Sequence, residues 1–211
     1  IGDVKNYTES RGASLVNWHP SKKEMLISTR FANSNQFHYI KMPGGDRKQI
    51  TFFDEPIGFA SFEPTNGDYF LFYKDIGGNE FSQIYRYDLS KKTTTLLTDG
   101  KRSQNGGIQW NNKGDRIAYS STKRNRQDRD IFVLNPLDGA SDRKVAENSG
   151  GGWRVVDWSA DDSKLLLEEG ISVNESRLYL IDLASGIKSR LLPEKDEHTT
   201  FDGISFTKDG K

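Results

Sequence analysis

The 211-residue chain contains the residue types needed for hydrolysis, but their spacing does not suit them to it. A serine nucleophile on the sharp strand-to-helix elbow needs glycine two places away on both sides. No serine in this chain has both. His19, His38 and His198 fall in a hairpin turn, a strand and a connection. Each is read as a surface or packing histidine, so no catalytic residue is assigned. Gly77-Gly78-Asn79-Glu80 and Gly150-Gly151-Gly152 are glycine-rich, but neither precedes Lys-Ser/Thr or opens a helix, as a phosphate cradle requires. Both are read as tight connections. Asp161-Asp162 and Asp209-Gly210 are acidic turns with too few oxygen ligands for calcium. No metal and no cofactor are expected. The sequons Asn6-Tyr7-Thr8 and Asn174-Glu175-Ser176 have meaning only in a eukaryotic secretory setting.

The remaining candidate chemistry is recognition. Lys123-Arg124-Asn125-Arg126-Gln127-Asp128-Arg129-Asp130 places four cations and two anions in eight residues. Arginine binds carboxylates through a bidentate fork, which suits such a stretch to contacts with a domain or substrate. Over the whole chain, thirty cationic and thirty anionic side chains cancel. That balance argues against nucleic acid, which calls for a strong basic field. With no cysteine, the redox compartment is left open. No apolar run nears the roughly 18 residues of a membrane span, and the N-terminus lacks a leader pattern. A soluble chain of the cytoplasm or periplasm is therefore expected, with no membrane partner.

The elements that position these residues follow a repeat. Trp18, Phe62, Trp110, Trp158 and Phe206 each close a short apolar run and open a polar turn, at steps of 44, 48, 48 and 48 residues. After each of the first four, an apolar residue returns seven places on, across Pro, Asn, Gly, Asp and Ser, which favour tight turns. A period of this length is that of one four-stranded propeller blade. Second strands are expected at Met25–Ser28, Tyr69–Tyr73, Arg116–Ser120 and Lys164–Leu167. Third strands are expected at Phe37–Ile40, Ile84–Tyr87, Ile131–Leu134 and Leu178–Ile181. Fourth strands are expected at Gln49–Phe52, Thr95–Thr98, Arg143–Ala146 and Ser189–Leu192. Asp88, Asn135 and Asp182 mark three of the turns after the third strands. No apolar stripe of helical period is present, so almost no helix is expected.

The reading is an all-β, WD-repeat-like β-propeller of four-stranded antiparallel blades, with about four blades plus one strand of an incomplete ring. Blades are expected at about 14–56, 57–104, 105–151 and 152–199, with a fifth starting at 200–211. The repeat aromatics, Trp110 included, are expected in the core. The chain opens at Ile1 and stops within a hairpin, which reads as a piece of a longer polypeptide whose isolated blade faces self-associate. The links between second and third strands are expected as loops: Phe31 to Gln36, Lys74 to Gln83, Thr122 to Asp130 and Glu169 to Ser176. A rigid scaffold presents recognition residues on such loops. Arg30, Asn79, Glu80, Arg124, Arg126 and Asp128 are the candidates for contact with substrate or with another domain.

Several of these segments also carry a family likeness. Met25-Leu26-Ile27-Ser28-Thr29-Arg30-Phe31, Met42-Pro43-Gly44-Gly45 and Lys74-Asp75-Ile76-Gly77-Gly78-Asn79-Glu80-Phe81-Ser82-Gln83 resemble the N-terminal propeller of bacterial prolyl oligopeptidase-family serine peptidases, of the dipeptidyl or acylaminoacyl peptidase kind. Tyr119-Ser120-Ser121-Thr122-Lys123-Arg124 and Trp158-Ser159-Ala160-Asp161-Asp162 fit the same pattern. The resemblance implies a propeller that covers a C-terminal α/β-hydrolase domain and limits entry to peptides and unfolded segments. The catalytic half is missing here, so no activity is expected of this chain by itself. In some dipeptidyl members, paired glutamates bind a substrate amine. Glu168-Glu169 does not sit in that motif. The alternative is a stand-alone interaction module similar to TolB, the periplasmic propeller protein of the Tol-Pal system.

Overall fold

A computed structural model describes residues 12–31, 33–195 and 197–207. The sequon at Asn6 and the turn Asp209-Gly210 lie outside the described residues. The described residues form sixteen strands in four antiparallel sheets and contain no helix. Sheet 1 contains β1 (Ala13–Trp18), β2 (Met25–Thr29), β3 (Gln36–Ile40) and β4 (Lys48–Gln49). Sheet 2 contains β5 (Ala60–Phe62), β6 (Tyr69–Lys74), β7 (Gln83–Asp88) and β8 (Thr93–Leu96). Sheet 3 contains β9 (Asn105–Trp110), β10 (Ile117–Ser121), β11 (Asp130–Asn135) and β12 (Asp138–Ala146). Sheet 4 contains β13 (Trp153–Trp158), β14 (Lys164–Ser172), β15 (Glu175–Asp182) and β16 (Lys188–Leu192). Within each sheet, every strand pairs with the next in sequence.

The chain divides into two compact units, one holding residues 1–80 and 84–96, the other residues 81–83 and 97–211. In the first unit Leu26, Phe37, Phe62, Phe70, Phe72 and Tyr87 form one core between sheets 1 and 2. Its rings meet mainly edge to face, as Phe37 does with Phe70 at 5.6 Å and Phe72 at 5.9 Å, an arrangement that ring quadrupoles favour. In the second unit Ala118, Ile131, Val133, Val155, Trp158, Leu165 and Leu167 fill the space between sheets 3 and 4.

The repeat aromatics end the first strand of every sheet, but their burial differs. Phe62 and Trp158 are 3% and 2% exposed, because a preceding sheet in the same unit covers each. The Trp158 indole donates to the Gln109 carbonyl (3.0 Å) and has the Arg116 guanidinium over its ring. Trp18 has no such cover among the described residues and is 55% exposed. Trp110, expected in the core, is only half-buried. Phe206 lies outside any strand, yet its N–H donates to Asp157 Oδ2 (2.8 Å), just as the Phe62 N–H donates to Asn17 Oδ1 (3.1 Å). In both cases the acceptor immediately precedes the aromatic of the earlier repeat.

Turn chemistry follows the sequence closely. Asp88, Asn135 and Asp182 each accept backbone N–H groups two or three residues on, forming Asx turns. The first hairpin of sheet 2 carries one extra residue, pairing Phe62 with Phe70 rather than Tyr69. Glu63 fills the longer turn by accepting the N–H groups of Thr65, Asn66 and Gly67. Gly67 has φ +71°, and a Cβ there would fall 2.6 Å from the His19 ring.

One loop expectation also fails. Glu169–Ser176 is not a loop, because β14 and β15 continue through Glu169↔Arg177, Gly170↔Ser176 and Ser172↔Glu175 to a two-residue turn at Val173-Asn174. Ile171 and Val173 alternate with polar positions here but are exposed, so the extension is held by the backbone ladder and not by burial. β4 is also shorter than expected, ending at Gln49.

These observations predict a graded core. Trp158→Ala is expected to cost about 3–5 kcal/mol, as for other large buried side chains, and Trp18→Ala under about 1 kcal/mol. Urea unfolding of the two variants measures the contrast, and equal losses would contradict the burial pattern.

Acid sensitivity has a separate cause. His38 is fully buried, with Nδ1 placed to donate to the Gln36 carbonyl (3.1 Å) and Nε2 without a partner. His19 is 4% exposed and its Nε2 is also unpartnered. Burial lowers both pKa values below the ordinary 6.5, with Lys22 assisting at His19 and Arg47 at His38. The unfolded chain therefore takes up these protons first, so stability is full above pH 6.5 and declines as pH falls below it. The urea midpoint is expected to drop on going from pH 7.5 to about pH 5, and the drop to shrink in His38→Phe. A flat midpoint over that range would overturn the assignment.

Candidate functional site

In the second unit the loop between β10 and β11 lies against the connection from β12 to β13. Its organiser is Asp130, the fully buried first residue of β11. The Asp130 carboxylate accepts Arg124 Nε (2.7 Å), Arg124 Nη2 (3.1 Å) and the Asn148 N–H (3.0 Å). Arg124 Nη2 also reaches Asp128 (3.1 Å) and the Asn148 carbonyl (2.7 Å). The Asp130 carboxylate raises the Arg124 pKa further above its ordinary value. Asp128 accepts the Gly150 N–H (2.7 Å) and Asn125 Nδ2 (2.7 Å), which hold its carboxyl below the usual range.

The same position recurs in every sheet. Gln36, first in β3, accepts the Phe53 N–H and donates to the Phe53 and Glu55 carbonyls. Gln83, first in β7, accepts from Thr98 Oγ1 and the Gly100 N–H and donates to the Lys101 and Ser103 carbonyls. Ser176, in β15, donates its N–H to the Thr199 carbonyl and accepts the Phe201 N–H. Each of these buried side chains or backbone groups grips the segment that leaves the fourth strand of its own sheet. Sequence reasoning passed over this motif, although Gln36, Gln83 and Asp130 stand 47 residues apart.

The candidates divide into engaged and free side chains. Lys123 pairs with Asp142 and sits over Phe132, and Arg129 donates to Gln104 Oε1 (3.0 Å). Of the four cations in this stretch, three are thus engaged within the second unit, one on the loop and two on neighbouring segments. Arg126 is exposed, has φ +68°, and its side chain makes no ion pair among the described residues. In the first unit Arg30 is likewise exposed and unpaired among the described residues. Asn79 and Glu80 sit on a shaped turn, with Gly77, Gly78 and Glu80 at φ +62°, +71° and +62°. Asp75 caps the Glu80 N–H (2.9 Å), and Glu55 takes both Lys74 Nζ and the Gly77 N–H (each 3.1 Å). This is the tight connection expected of a glycine pair.

A cleft of about 480 Å3 opens beside Arg124, over Trp153. Its wall includes Glu169, whose carboxylate accepts the Tyr179 hydroxyl (2.9 Å), raising the tyrosine pKa together with burial. Glu168 is on the opposite face of β14 and pairs with Arg154, so Glu168 and Glu169 do not act as a pair. Gly152 sits beneath the rim, where a Cβ would approach the Gly170 carbonyl oxygen to 2.0 Å. His198 is exposed and bonded to Glu175 (2.9 Å). No group of metal-ligating side chains occurs among the described residues. No helix among them is long and apolar enough to cross a membrane.

No family model and no curated protein matches the chain. Solved structures do. TolB from Acinetobacter baumannii is 21% identical with a TM-score of 0.58, over 87% of this chain and 44% of that one. A prolyl endopeptidase is 11% identical with a TM-score of 0.65, over 86% of this chain and 29% of that one. Dipeptidyl peptidase 4 from Porphyromonas gingivalis is 14% identical with a TM-score of 0.58, over 94% and 35%. The chain thus spans less than half the length of each.

The loop geometry separates structure from function by mutation. Asp130→Ala is expected to cost about 1–3 kcal/mol or more, since it strands the Arg124 guanidinium and the Asn148 amide. Arg126→Ala is expected to change stability by less than about 0.5 kcal/mol. Thermal unfolding of the two variants checks this, and a large loss at Arg126 would mean that its side chain is engaged. These neighbours and the four antiparallel sheets make the fold a β-propeller of four-stranded blades.

Proposed function

We propose that the chain is the substrate-access propeller of a prolyl oligopeptidase-type serine peptidase, without chemistry of its own. The observation that carries this reading is the Asp75-Ile76-Gly77-Gly78-Asn79-Glu80 turn. With Met25–Phe31 it is one of the two more family-specific segments, and its left-handed glycines and Asp75 cap account for those residue types. Arg30, Asn79, Glu80 and Arg126 are the side chains assigned to contact with the hydrolase domain or with peptide substrates. Arg124 and Asp128 hold the loop in shape for that contact. The TM-score of 0.65 to a prolyl endopeptidase supports the reading, and the lack of a nucleophile elbow agrees with it.

A TolB-like interaction module is the second reading, favoured by the 21% identity to TolB. The parent reading frame separates the two. A Gly-x-Ser-x-Gly elbow encoded beyond Lys211 supports the peptidase, whereas a stop after one or two further blades supports the module. The 211-residue chain is expected to hydrolyse no peptide or ester substrate, and the extended chain to do so. Turnover by the short chain that is lost on mutating one of its serines would overturn the proposal.

A further inference from the structure

We propose that the cleft over Trp153 in the second unit is a binding site for a small monoanionic carboxylate, seated on the Lys188 ammonium. The argument starts from charge pairing around the cleft. Arg124 is matched by Asp130 and Asp128. Glu147 is matched by Lys144, with Arg124 at 3.8 Å. Glu169 is served by the Tyr179 hydroxyl and lies 4.0 Å from Arg177. Lys188 differs from all of these. Among the described residues no carboxylate lies within ion-pair distance of its Nζ, and its one hydrogen bond is to the neutral Asn148 Oδ1 (2.6 Å).

The ammonium has three N–H donors and spends only one. Its stem and charge lie over the rings of Trp153 (4.2 Å to the centroid) and Tyr179 (5.5 Å). That cradle is attractive to a cation but accepts no proton in the way an anion does. Burial lowers the Lys188 pKa, while the Glu169 and Asp130 carboxylates act against the shift. The cleft, at about 480 Å3, lies in the range of small-ligand sites. The ligand class follows from its walls. One negative charge pairs with Lys188 and faces Glu147 and Glu169 across the cleft, a repulsion that a phosphate or sulfate dianion would double. This inference holds whether or not the chain belongs to a peptidase.

A carboxylate of this kind comes from a free organic acid or from the end of a peptide. Two probes distinguish them: sodium propionate, and an N-acetyl dipeptide with a free C-terminus, each titrated into the 211-residue chain. The indole N–H signal of Trp153, assigned with Trp153→Phe, is expected to shift saturably. Saturation by both acids with similar affinity assigns a free-acid site, and saturation by the dipeptide alone assigns a peptide end. The same dipeptide with an amidated C-terminus is expected to bind at least about tenfold more weakly. Lys188→Met keeps the stem over Trp153 and is expected to weaken binding at least about tenfold. If that variant fails to fold, Lys188→Gln, which retains a donor to Asn148, takes its place. A saturable shift with neither acid, equal binding of the amide, or undiminished binding in the folded Lys188 variant would overturn the proposal.

Discussion

The structure depends on one buried polar position at the head of each third strand. A propeller blade ends at its fourth strand, and the chain must then cross to the next sheet through irregular backbone. That crossing carries N–H and C=O groups with no ladder to join, and burying them unpaired is costly. Gln36 and Gln83 each answer several of those groups with a single side chain, and Asp130 does so together with Arg124 and Asp128. A side chain in such a network is stable only when nearly all its bonds are made, so the arrangement has little slack. The start of the third strand, and with it the end of the loop that follows the second strand, is therefore tied to the crossing.

Charge is handled in the same spirit. The densest charged stretch reads as an interaction patch, but most of it is turned inward on its own loop. Arg124 closes around Asp130 and Asp128, Lys123 around Asp142, and Arg129 bridges to Gln104. Of the cations in that stretch, Arg126 is the one whose side chain makes no ion pair or hydrogen bond among the described residues. A net charge of zero thus conceals a sharp division between cations that build and cations that remain open.

The aromatic period and its turn residues were readable from the chain, because a hairpin needs Gly, Asn and Asp in fixed places. The Asx turns at Asp88, Asn135 and Asp182 are local and so were readable as well. The burial of the aromatics was not. Trp18 and Trp158 have the same sequence context, and only the neighbouring sheet makes one exposed and the other enclosed. The extension of β14 and β15 was hidden because polar residues can pair through backbone alone. The cleft was hidden for a different reason, since Lys188 and Asn148 meet across 40 residues and no local pattern announces it.

The hairpin contacts between adjacent sheets limit the exchange of one blade for another. In the first unit the His19 ring occupies the space that only a glycine at 67 leaves open. In the second unit the same kind of junction is made by Asp162, which accepts from Asn111, Asn112 and Lys113. The two junctions hold equivalent places in the repeat but share no parts. Sheet 4 set beside sheet 1 would bring the Asp162 carboxylate where the His19 ring needs a glycine, and sheet 2 set beside sheet 3 would leave the Asn111-Asn112 donors facing Gly67 in place of a carboxylate. Blades of common shape are therefore not interchangeable, and exchanging them is a poor route to variants of this protein.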